Sequence, residues 1–333
     1  MGDGGITTTA LRYVEVCAGA GGMGLGLHRA GWSGTGLELD ADAVATHNAN
    51  VGPCLAADIT TAHAPHGADL VAGGVPCQSF SNAGKGEGLA DPRGQLFASL
   101  LRIGAEAGAR CILLENVRGL VSCGALPVIL AAFRAAAYEP VHALLCAADY
   151  GVPQNRVRLF IAGFRDAADL ARFRWPAPSH GAPGNLYGLP AWRTVRQALD
   201  LGTGGAADVL DVPSHTVSAG GTAAGGAEPF ANAGYRKRLA AAMATAGLLD
   251  RPATAITSRN AVAAAGHHAS NWTGSVRAGV AECSALQSFP AGFAFSGTTT
   301  SQHKQAGNAV PPLLAEALGG AVRRALYGEG GAA

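Results

Sequence analysis

A glycine-rich segment near the start of the chain has the spacing of a nucleotide-binding loop. Residues 14–31 read VEVCAGAGGMGLGLHRAG, in which Gly19, Gly21 and Gly24 match the pattern G-x-G-x-x-G behind a strand-like run. Such glycines permit a tight turn and a close approach to a ligand, and the carboxylate of Glu38, after the next strand-like run, can bind ribose hydroxyls. The pattern is typical of dinucleotide sites and of S-adenosylmethionine sites, and a purely structural turn is the alternative.

Cys77 is the best candidate for a nucleophile. In the segment 69–81, DLVAGGVPCQSFS, it follows a short strand-like run and a Gly-Gly-Val-Pro turn, so it lies in polar, loop-forming sequence. In a parallel sheet this is the carboxyl end of a strand, where ligands bind. A buried, unreactive cysteine is the alternative, and we interpret Cys111 and Cys146 in that way because both lie in apolar runs. The glycine-rich stretch after Cys77 could move as a lid.

The composition of the 333 residues excludes several classes of protein. Apolar residues make up 48% of the chain and charged residues 14%, which predicts a globular protein rather than a disordered one. The net charge of +1 means that any surface for nucleic acid has to be local. The seven cysteines contain no C-x-x-C pair, and no histidine has partners at ligand spacing. We therefore expect no metal site, no membrane span and a reduced, cytoplasmic chain.

Short apolar runs alternate with helical stretches through the first half of the chain. This alternation predicts βαβ units in a Rossmann-like α/β fold, whose mainly parallel sheet is covered by helices on both faces. The helical stretches include Leu96–Glu106 and Val128–Ala137. The predicted strands are Arg12–Cys17, Gly34–Leu39, Asp69–Ala72, Cys111–Leu114, His142–Cys146 and Val157–Ala162.

The alternating pattern ends at Trp175–Pro190, a proline-rich stretch with little periodicity. We therefore predict a larger domain over residues 1–175 and a smaller, irregular domain over residues 176–302. Past Pro312 the apolar residues again fall on one helical face. They predict a C-terminal helix over residues 303–327 that completes the larger domain.

Five sequence blocks, found in family order, resemble those of the cytosine-5 DNA methyltransferases. The blocks are Pro-Cys-Gln at 76–78, Glu-Asn-Val at 115–117, QNRVR at 154–158, ECSALQSFP at 282–290 and QAGNAVPP at 305–312. Each could arise alone by chance, whereas all five in order across nearly the whole chain identify the resemblance. The chain departs from the family where Glu15-Val16-Cys17 replaces the usual Asp-Leu-Phe, and where Val75 replaces a proline.

The resemblance implies an S-adenosylmethionine site. Gly19, Gly21 and the turn around them would hold the methionine moiety, and Glu38 would bind the ribose. Asp58-Ile59 would contact the adenine, and Asn308 would complete the site from the C-terminal region. Without the resemblance, the aspartate would be a loop or cap carboxylate and the asparagine a helix-entry residue.

The resemblance also implies methyl transfer to carbon 5 of cytosine in DNA. Carbon 5 is a poor nucleophile, so the thiolate of Cys77 would add to carbon 6 and activate the ring. Glu115 would offset the growing charge by a proton or hydrogen bond at N3, which requires a protonated carboxyl group. Arg158 would stabilise the exocyclic oxygen of the base, and Arg156 would orient the site or pair with a phosphate. A target stacked in duplex DNA would have to flip out.

The region between the QNRVR and ECSALQSFP blocks corresponds to the family's target-recognition region. Its densest basic cluster, Arg236, Lys237 and Arg238, would suit DNA phosphates, and a solvated helix face is the alternative. Arg259 and Asn260 would suit guanine and adenine edges. The expected partners are double-stranded DNA and, in a restriction–modification system, an endonuclease with the same recognition site. A monomer is expected.

Three alternatives stay open at the level of sequence. A transfer RNA substrate would keep the chemistry, although the long variable region favours DNA. A dinucleotide oxidoreductase would leave Cys77 and Glu115 unexplained. A catalytically inactive DNA-binding relative is disfavoured because both of these residues are present.

Overall fold

The described part of the fold is built on a seven-stranded sheet. It is seen in a computed structural model that describes residues 11–76, 94–199, 214–215 and 279–328. A separate pair of two-residue strands lies beside the sheet. The strands are β1 (Arg12–Val16), β2 (Ser33–Glu38), β3 (Cys54–Ala56), β4 (Leu70–Gly73), β5 (Cys111–Val117), β6 (Glu139–Cys146), β7 (Gln154–Asn155), β8 (Val157–Phe164) and β9 (Ser214–His215).

Helices connect most of these strands. One of them, Ala147–Tyr150, is a short 3₁₀ helix. The α-helices are α1 (Gly22–Arg29), α2 (Ala41–Asn50), α3 (Gly94–Ala107), α4 (Gly119–Ser122), α5 (Leu126–Ala135), α6 (Ala167–Arg172), α7 (Val195–Leu199), α8 (Val280–Leu286), α9 (Thr299–Asn308) and α10 (Pro312–Tyr327).

The large sheet has the order β3-β2-β1-β4-β5-β8-β6. Its first five strands are parallel, and β8 runs antiparallel between β5 and β6, so the prediction of a mainly parallel sheet is confirmed. Each predicted strand overlaps an observed one, whereas β3 was not predicted because three residues carry too little pattern. The strand order reverses between β1 and β4, and ligands bind at such a switch point beyond the carboxyl ends of the strands.

Apolar layers cover both faces of the sheet, because alternate residues of each strand point to opposite sides. Tyr13 and Leu113 belong to the layer that α1 and α10 cover, and Val14 and Ile112 belong to the layer under α3 and α5. The prediction of helices on both faces is therefore confirmed.

The prediction of one continuous C-terminal helix over residues 303–327 is wrong. The structure has two helices there, because α9 ends at Asn308 and α10 begins at Pro312. Pro311 disfavours helical geometry at Val310, and a proline at the first position of α10 needs no backbone donor. The break brings residues 307–310 to the carboxyl edge of the sheet.

The predicted domain boundary at residue 302 stays a prediction. The described residues just before it hydrogen-bond to α2: Asn50 donates to the carbonyl of Ala294 over 2.9 Å, and the N–H of Ser296 donates to Thr46 over 2.8 Å. Among the helices that the structure describes, none has the length and apolar character to cross a membrane.

Candidate active site

The turn between β1 and α1 forms one wall of a cavity at the carboxyl end of the sheet. Cys17, Gly19 and Gly21 have φ angles of 51°, 54° and 86°, a left-handed conformation that glycine adopts without strain. A Cβ atom on Gly19 would meet no atom within 4 Å, so this residue borders open space. A Cβ atom on Gly22 would lie 2.3 Å from the carbonyl oxygen of Val310, so α1 begins in direct contact with the segment between α9 and α10.

Glu38 ends β2 beside this turn, and three backbone N–H groups hold its carboxylate. Gly19 donates to one oxygen over 2.8 Å, and Leu39 and Asp40 donate to the other over 2.8 and 2.9 Å. A carboxylate fixed in advance can accept hydrogen bonds from ligand hydroxyls with little further ordering. Next to it, the side chain of Leu39 gives the rim an exposed apolar surface.

The segment after β3 and the end of α9 complete this side of the cavity. The Oδ1 atom of Asp58 accepts hydrogen bonds from the N–H and the hydroxyl of Thr60, which lower the pKa of the carboxyl group. Ile59 is buried, and its carbonyl accepts a hydrogen bond from Arg102. Asn308 is exposed as the last residue of α9.

The cavity has a volume of about 610 Å³, within the usual range for small-molecule sites. Gly21 is a predicted cofactor residue that does not line it, since a Cβ atom there would lie 2.7 Å from Cδ2 of His47. Cys77 lies outside the described residues, and the chain is described up to Pro76, which lines the cavity. The other predicted residues of the two sites lie together on its walls: Gly19, Glu38, Asp58, Ile59, Asn308, Glu115, Arg156 and Arg158.

Glu115 and Arg158 form a mostly buried ion pair on the wall of the cavity. Nε of Arg158 lies 3.2 Å from Oε1 of Glu115. The pairing follows from strand register, because Arg158 on β8 lies opposite Val117, two residues along β5 from the glutamate, and such diagonal neighbours share a face. The pair therefore places one carboxylate and one guanidinium at the same point of the cavity.

Asn116 is a residue of the cavity wall that sequence reasoning did not single out. Its side chain is buried and donates a hydrogen bond over 2.9 Å to the carbonyl of Val75, two residues before Cys77. Its Oδ1 atom accepts from the N–H of Val117. The middle residue of the Glu-Asn-Val block thus ties the start of the cysteine loop to β5.

Arg156 lies behind the ion pair. Its residue surface is only 2% exposed, and it donates to the carbonyl of Gly307 over 3.2 Å. Burial and then the like charge of Arg158 lower its pKa to about 9, against the opposing effect of Glu115. This burial is consistent with the predicted role in orienting the site and leaves no surface for a phosphate group.

A second feature that sequence reasoning missed is a network of buried amides joining three of the sequence blocks. Nε2 of Gln154 donates to Oε1 of Gln287 over 3.0 Å, and Nε2 of Gln287 donates to the carbonyl of Ala306 over 2.7 Å. The three residues belong to the blocks QNRVR, ECSALQSFP and QAGNAVPP. The blocks are therefore in contact although they lie far apart in sequence.

Residues 11–324 match a protein family described as C-5 cytosine-specific DNA methylase. The chain belongs to this family. M.NgoMIV, a Type II methyltransferase of Neisseria gonorrhoeae, is 33% identical to this methylase over 340 residues, which cover 95% of this chain and 98% of that protein. M.NaeI, a Type II methyltransferase of Lentzea aerocolonigenes, is 31% identical over 347 residues, which cover 96% of this chain and 76% of that protein.

The structure of the Dnmt2 methyltransferase of S. pombe has the same fold as this methylase. It aligns with a TM-score of 0.61 at 17% identity, and the alignment covers 96% of this chain and 99% of that one. Together the family and the relatives identify this methylase as a DNA cytosine-5 methyltransferase, an enzyme of a family whose methylation depends on S-adenosylmethionine.

Some predicted features are left as predictions for this methylase. Arg236, Lys237, Arg238, Arg259 and Asn260 lie outside the described residues. Within the described ranges, no group of three or more His, Cys, Asp or Glu side chains is placed to hold a metal ion.

Proposed function

We propose that this methylase transfers the methyl group of S-adenosylmethionine to carbon 5 of a cytosine flipped out of double-stranded DNA, within a specific sequence, through a covalent adduct with Cys77. The observation that carries the proposal is a shared cavity. The turn at Gly19 and the carboxylate of Glu38 line one part of it, and the Glu115–Arg158 pair lines another. A methyl donor and an acceptor base bound there would lie within reach of each other.

The residues of the cavity fit S-adenosylmethionine. The oriented carboxylate of Glu38 suits the ribose hydroxyls, while Leu39 and Ile59 offer apolar surface to an adenine ring. The open space at Gly19 admits the methionine moiety, and the side chain of Asn308 is free to reach it from the exposed end of α9. When bound, the cofactor supplies the methyl group.

The base would be activated from the other wall. The thiolate of Cys77 would add to carbon 6 of cytosine, and the electron pair displaced from the ring double bond would make carbon 5 nucleophilic. Glu115 would take up a proton from solvent as the base enters and share it with N3, and Arg158 would hold the glutamate and bind the exocyclic oxygen. After transfer a base, for which water would serve, removes the carbon-5 proton. The electrons of that C–H bond re-form the ring double bond and expel the thiolate of Cys77. The exposed Pro76 on the cavity wall and the anchored carbonyl of Val75 support this place for the nucleophile.

The reaction is tested by incubation with tritiated S-adenosylmethionine and either plasmid DNA or transfer RNA. We expect label in DNA as 5-methylcytosine with the wild type and with Cys123→Ala, a matched control at a half-buried cysteine whose thiol donates to the carbonyl of Leu120 in α4. Cys77→Ala should incorporate none. Label that survives in Cys77→Ala would show that Cys77 is not the nucleophile. Label in transfer RNA alone would show that the substrate is transfer RNA rather than DNA. No label despite cofactor binding would point to an inactive relative or to a plasmid without the recognition sequence.

A restriction–modification role is supported by the names of M.NgoMIV and M.NaeI, both Type II methyltransferases. We infer that an endonuclease with the same recognition site is the functional partner, and that the enzyme acts as a cytoplasmic monomer. Bisulfite sequencing of methylated plasmid would give the site. Resistance of that plasmid to the cognate endonuclease would test the partnership.

A further inference from the structure

A buried pair of titratable side chains lies under the glycine turn. Glu15 on β1 is 3% exposed and His47 on α2 is 1% exposed. Oε2 of Glu15 lies 3.8 Å from Nε2 of His47, and neither atom has a hydrogen-bond partner among the described residues. Nδ1 of the histidine lies 3.0 Å from the carbonyl oxygen of Gly52, which can only accept, so Nδ1 carries a proton. A second proton on the ring would therefore point at the carboxylate.

Three glycines make room for this Glu15–His47 pair. A Cβ atom on Gly21 would lie 2.7 Å from Cδ2 of His47, and one on Gly36 would lie 3.0 Å from its Nε2. A Cβ atom on Gly24 would lie 2.7 Å from Oε2 of Glu15. Two positions of the G-x-G-x-x-G pattern thus seat the pair, which explains why Gly21 does not line the cavity.

The pair is in contact with the cavity through Glu15, which forms part of its lining. The imidazole ring of His47 packs against Gly21, which follows Gly19, the residue that borders the open space, by two positions. The glycines pack directly against the two side chains, with no empty space between them. A change in the size or charge of the pair would therefore shift the turn that would hold the cofactor.

The surroundings favour one shared proton. Burial raises the pKa of Glu15, against the lowering effect of His47. Burial alone would lower the pKa of His47, but the interaction with the carboxylate of Glu15 and the hydrogen bond to the carbonyl of Gly52 outweigh it and raise that pKa. The other titratable groups that interact with the pair come from β1, the turn, α1, β2 and β3, and they are Tyr13, Cys17, His28, Glu38 and Cys54.

We propose that His47 is a positioning residue of the cofactor site, which shares one proton with Glu15 and so keeps the floor of the glycine turn electrically neutral. This inference rests on the proposed S-adenosylmethionine site. The folded pair binds its proton more tightly than the unfolded chain does, so its stabilisation is complete below the ordinary histidine pKa of about 6.5 and is lost as the pH rises through the raised pKa. Above it, an unpaired carboxylate stays buried under the turn, and affinity for the cofactor declines.

The shared proton is tested without any cofactor. In protein labelled with ¹⁵N-histidine, both ring nitrogens of His47 should stay protonated at a pH where His28 has become neutral. In Glu15→Gln, which keeps the shape but not the charge, the pKa of His47 should fall below that in the wild type, because the carboxylate no longer opposes the effect of burial. Titration of His47 at the ordinary value in both proteins would overturn the proposal.

The effect on the site is tested by calorimetric binding of S-adenosylhomocysteine from pH 6 to 10. Wild type should lose affinity with rising pH, whereas His47→Gln should bind on the order of tenfold more weakly at pH 6.5 and show a flatter profile. The matched control is His142→Gln, at an exposed histidine on β6, which should follow the wild type. If the affinity of His47→Gln for S-adenosylhomocysteine depended on pH as in the wild type, His47 would have no positioning role. Absence of binding by the wild type at every pH would overturn the cofactor site itself. The histidine resonances would still show whether Glu15 and His47 share a proton.

Discussion

Glu115 and Arg158 are close because β5 and β8 run antiparallel. The two residues are diagonal neighbours across the strands, so no turn or flexible loop is needed to bring them together. Each is mostly buried, which strengthens their interaction and fixes the direction of the carboxyl group. The carboxyl group of Glu115 is therefore held in one orientation, in which it can form a well-directed hydrogen bond to the base.

Glu115→Gln keeps the size of the side chain and removes the acid. We expect kcat to fall by about 10² to 10⁴, the usual contribution of a general acid. Binding of S-adenosylhomocysteine should change little, because Glu38 and Asp58 lie at another part of the cavity. The matched control is Glu139→Gln, which breaks an exposed ion pair with Arg134. Equal kcat in the Glu115 variant and the wild type would remove Glu115 from the chemistry.

Asn116→Ala should affect the same reaction by a different route. It leaves the buried carbonyl of Val75 without its donor, a loss of about 1–3 kcal/mol in the free energy of unfolding. Since that carbonyl lies two residues before Cys77, we also expect a lower kcat in the labelling assay. Asn185→Ala removes comparable amide bonds to Ala182 and Leu189 in a loop away from the cavity. It should lose stability at most, and a matching loss of kcat there would contradict a specific role for Asn116.

At the scale of elements, α1 and α10 pack unusually closely. A Cβ atom on Gly26 of α1 would lie 2.5 Å from the Cβ atom of Ala315 and 2.5 Å from the carbonyl oxygen of Pro312. On the other side of the contact, Nε1 of Trp32 donates to the carbonyl of Gly319 over 3.0 Å. Small residues on both helices therefore set their distance, and with it the place where α10 begins.

Gly26→Ala should show how much depends on that distance. Forcing a methyl group into the contact costs on the order of 1–3 kcal/mol in the free energy of unfolding. Gly320→Ala on α10 is the matched control: its Cβ atom would meet only the flexible end of Arg324 at 3.4 Å, so the better helix propensity should stabilise by roughly 0.5–1 kcal/mol. Urea unfolding of both variants gives the comparison, and a Gly26 variant as stable as the wild type would show that the helices can separate freely.

At the scale of the whole molecule, the amides of Gln154 and Gln287 connect β7 and α8 to the C-terminal segment that lines the cavity. Gln287→Leu should destabilise by about 1–3 kcal/mol, because it leaves buried polar groups without partners. Gln154→Leu alone should also destabilise, and the double variant should lose less than the sum of the two. Strict additivity in urea unfolding would mean that the two amides do not act as one unit.

Much of this site could be predicted from sequence because its parts have local patterns. The glycines before α1, the acid that ends β2 and the cysteine after β4 each follow a strand-like run. Asn116, Gln154 and His47 carry no such pattern: each acts on a residue far away in sequence, and a single amide or imidazole does not reveal its partner. The break between α9 and α10 had a local signal, Pro311, whose effect on the preceding residue was underestimated.

The contact between Gly22 and Val310 has a consequence for protein synthesis. The turn after β1 emerges from the ribosome well before the segment that packs against it, because most of the described chain lies between Gly22 and Val310. Chains fold from the N-terminus as they are made, at about 5–20 residues per second. The sheet can therefore form early, but the wall that residues 307–310 contribute is missing until α9 and α10 have been translated. A nascent chain that lacks α9 and α10 has no complete binding cavity, and the activity of the enzyme begins only after these two helices have been translated.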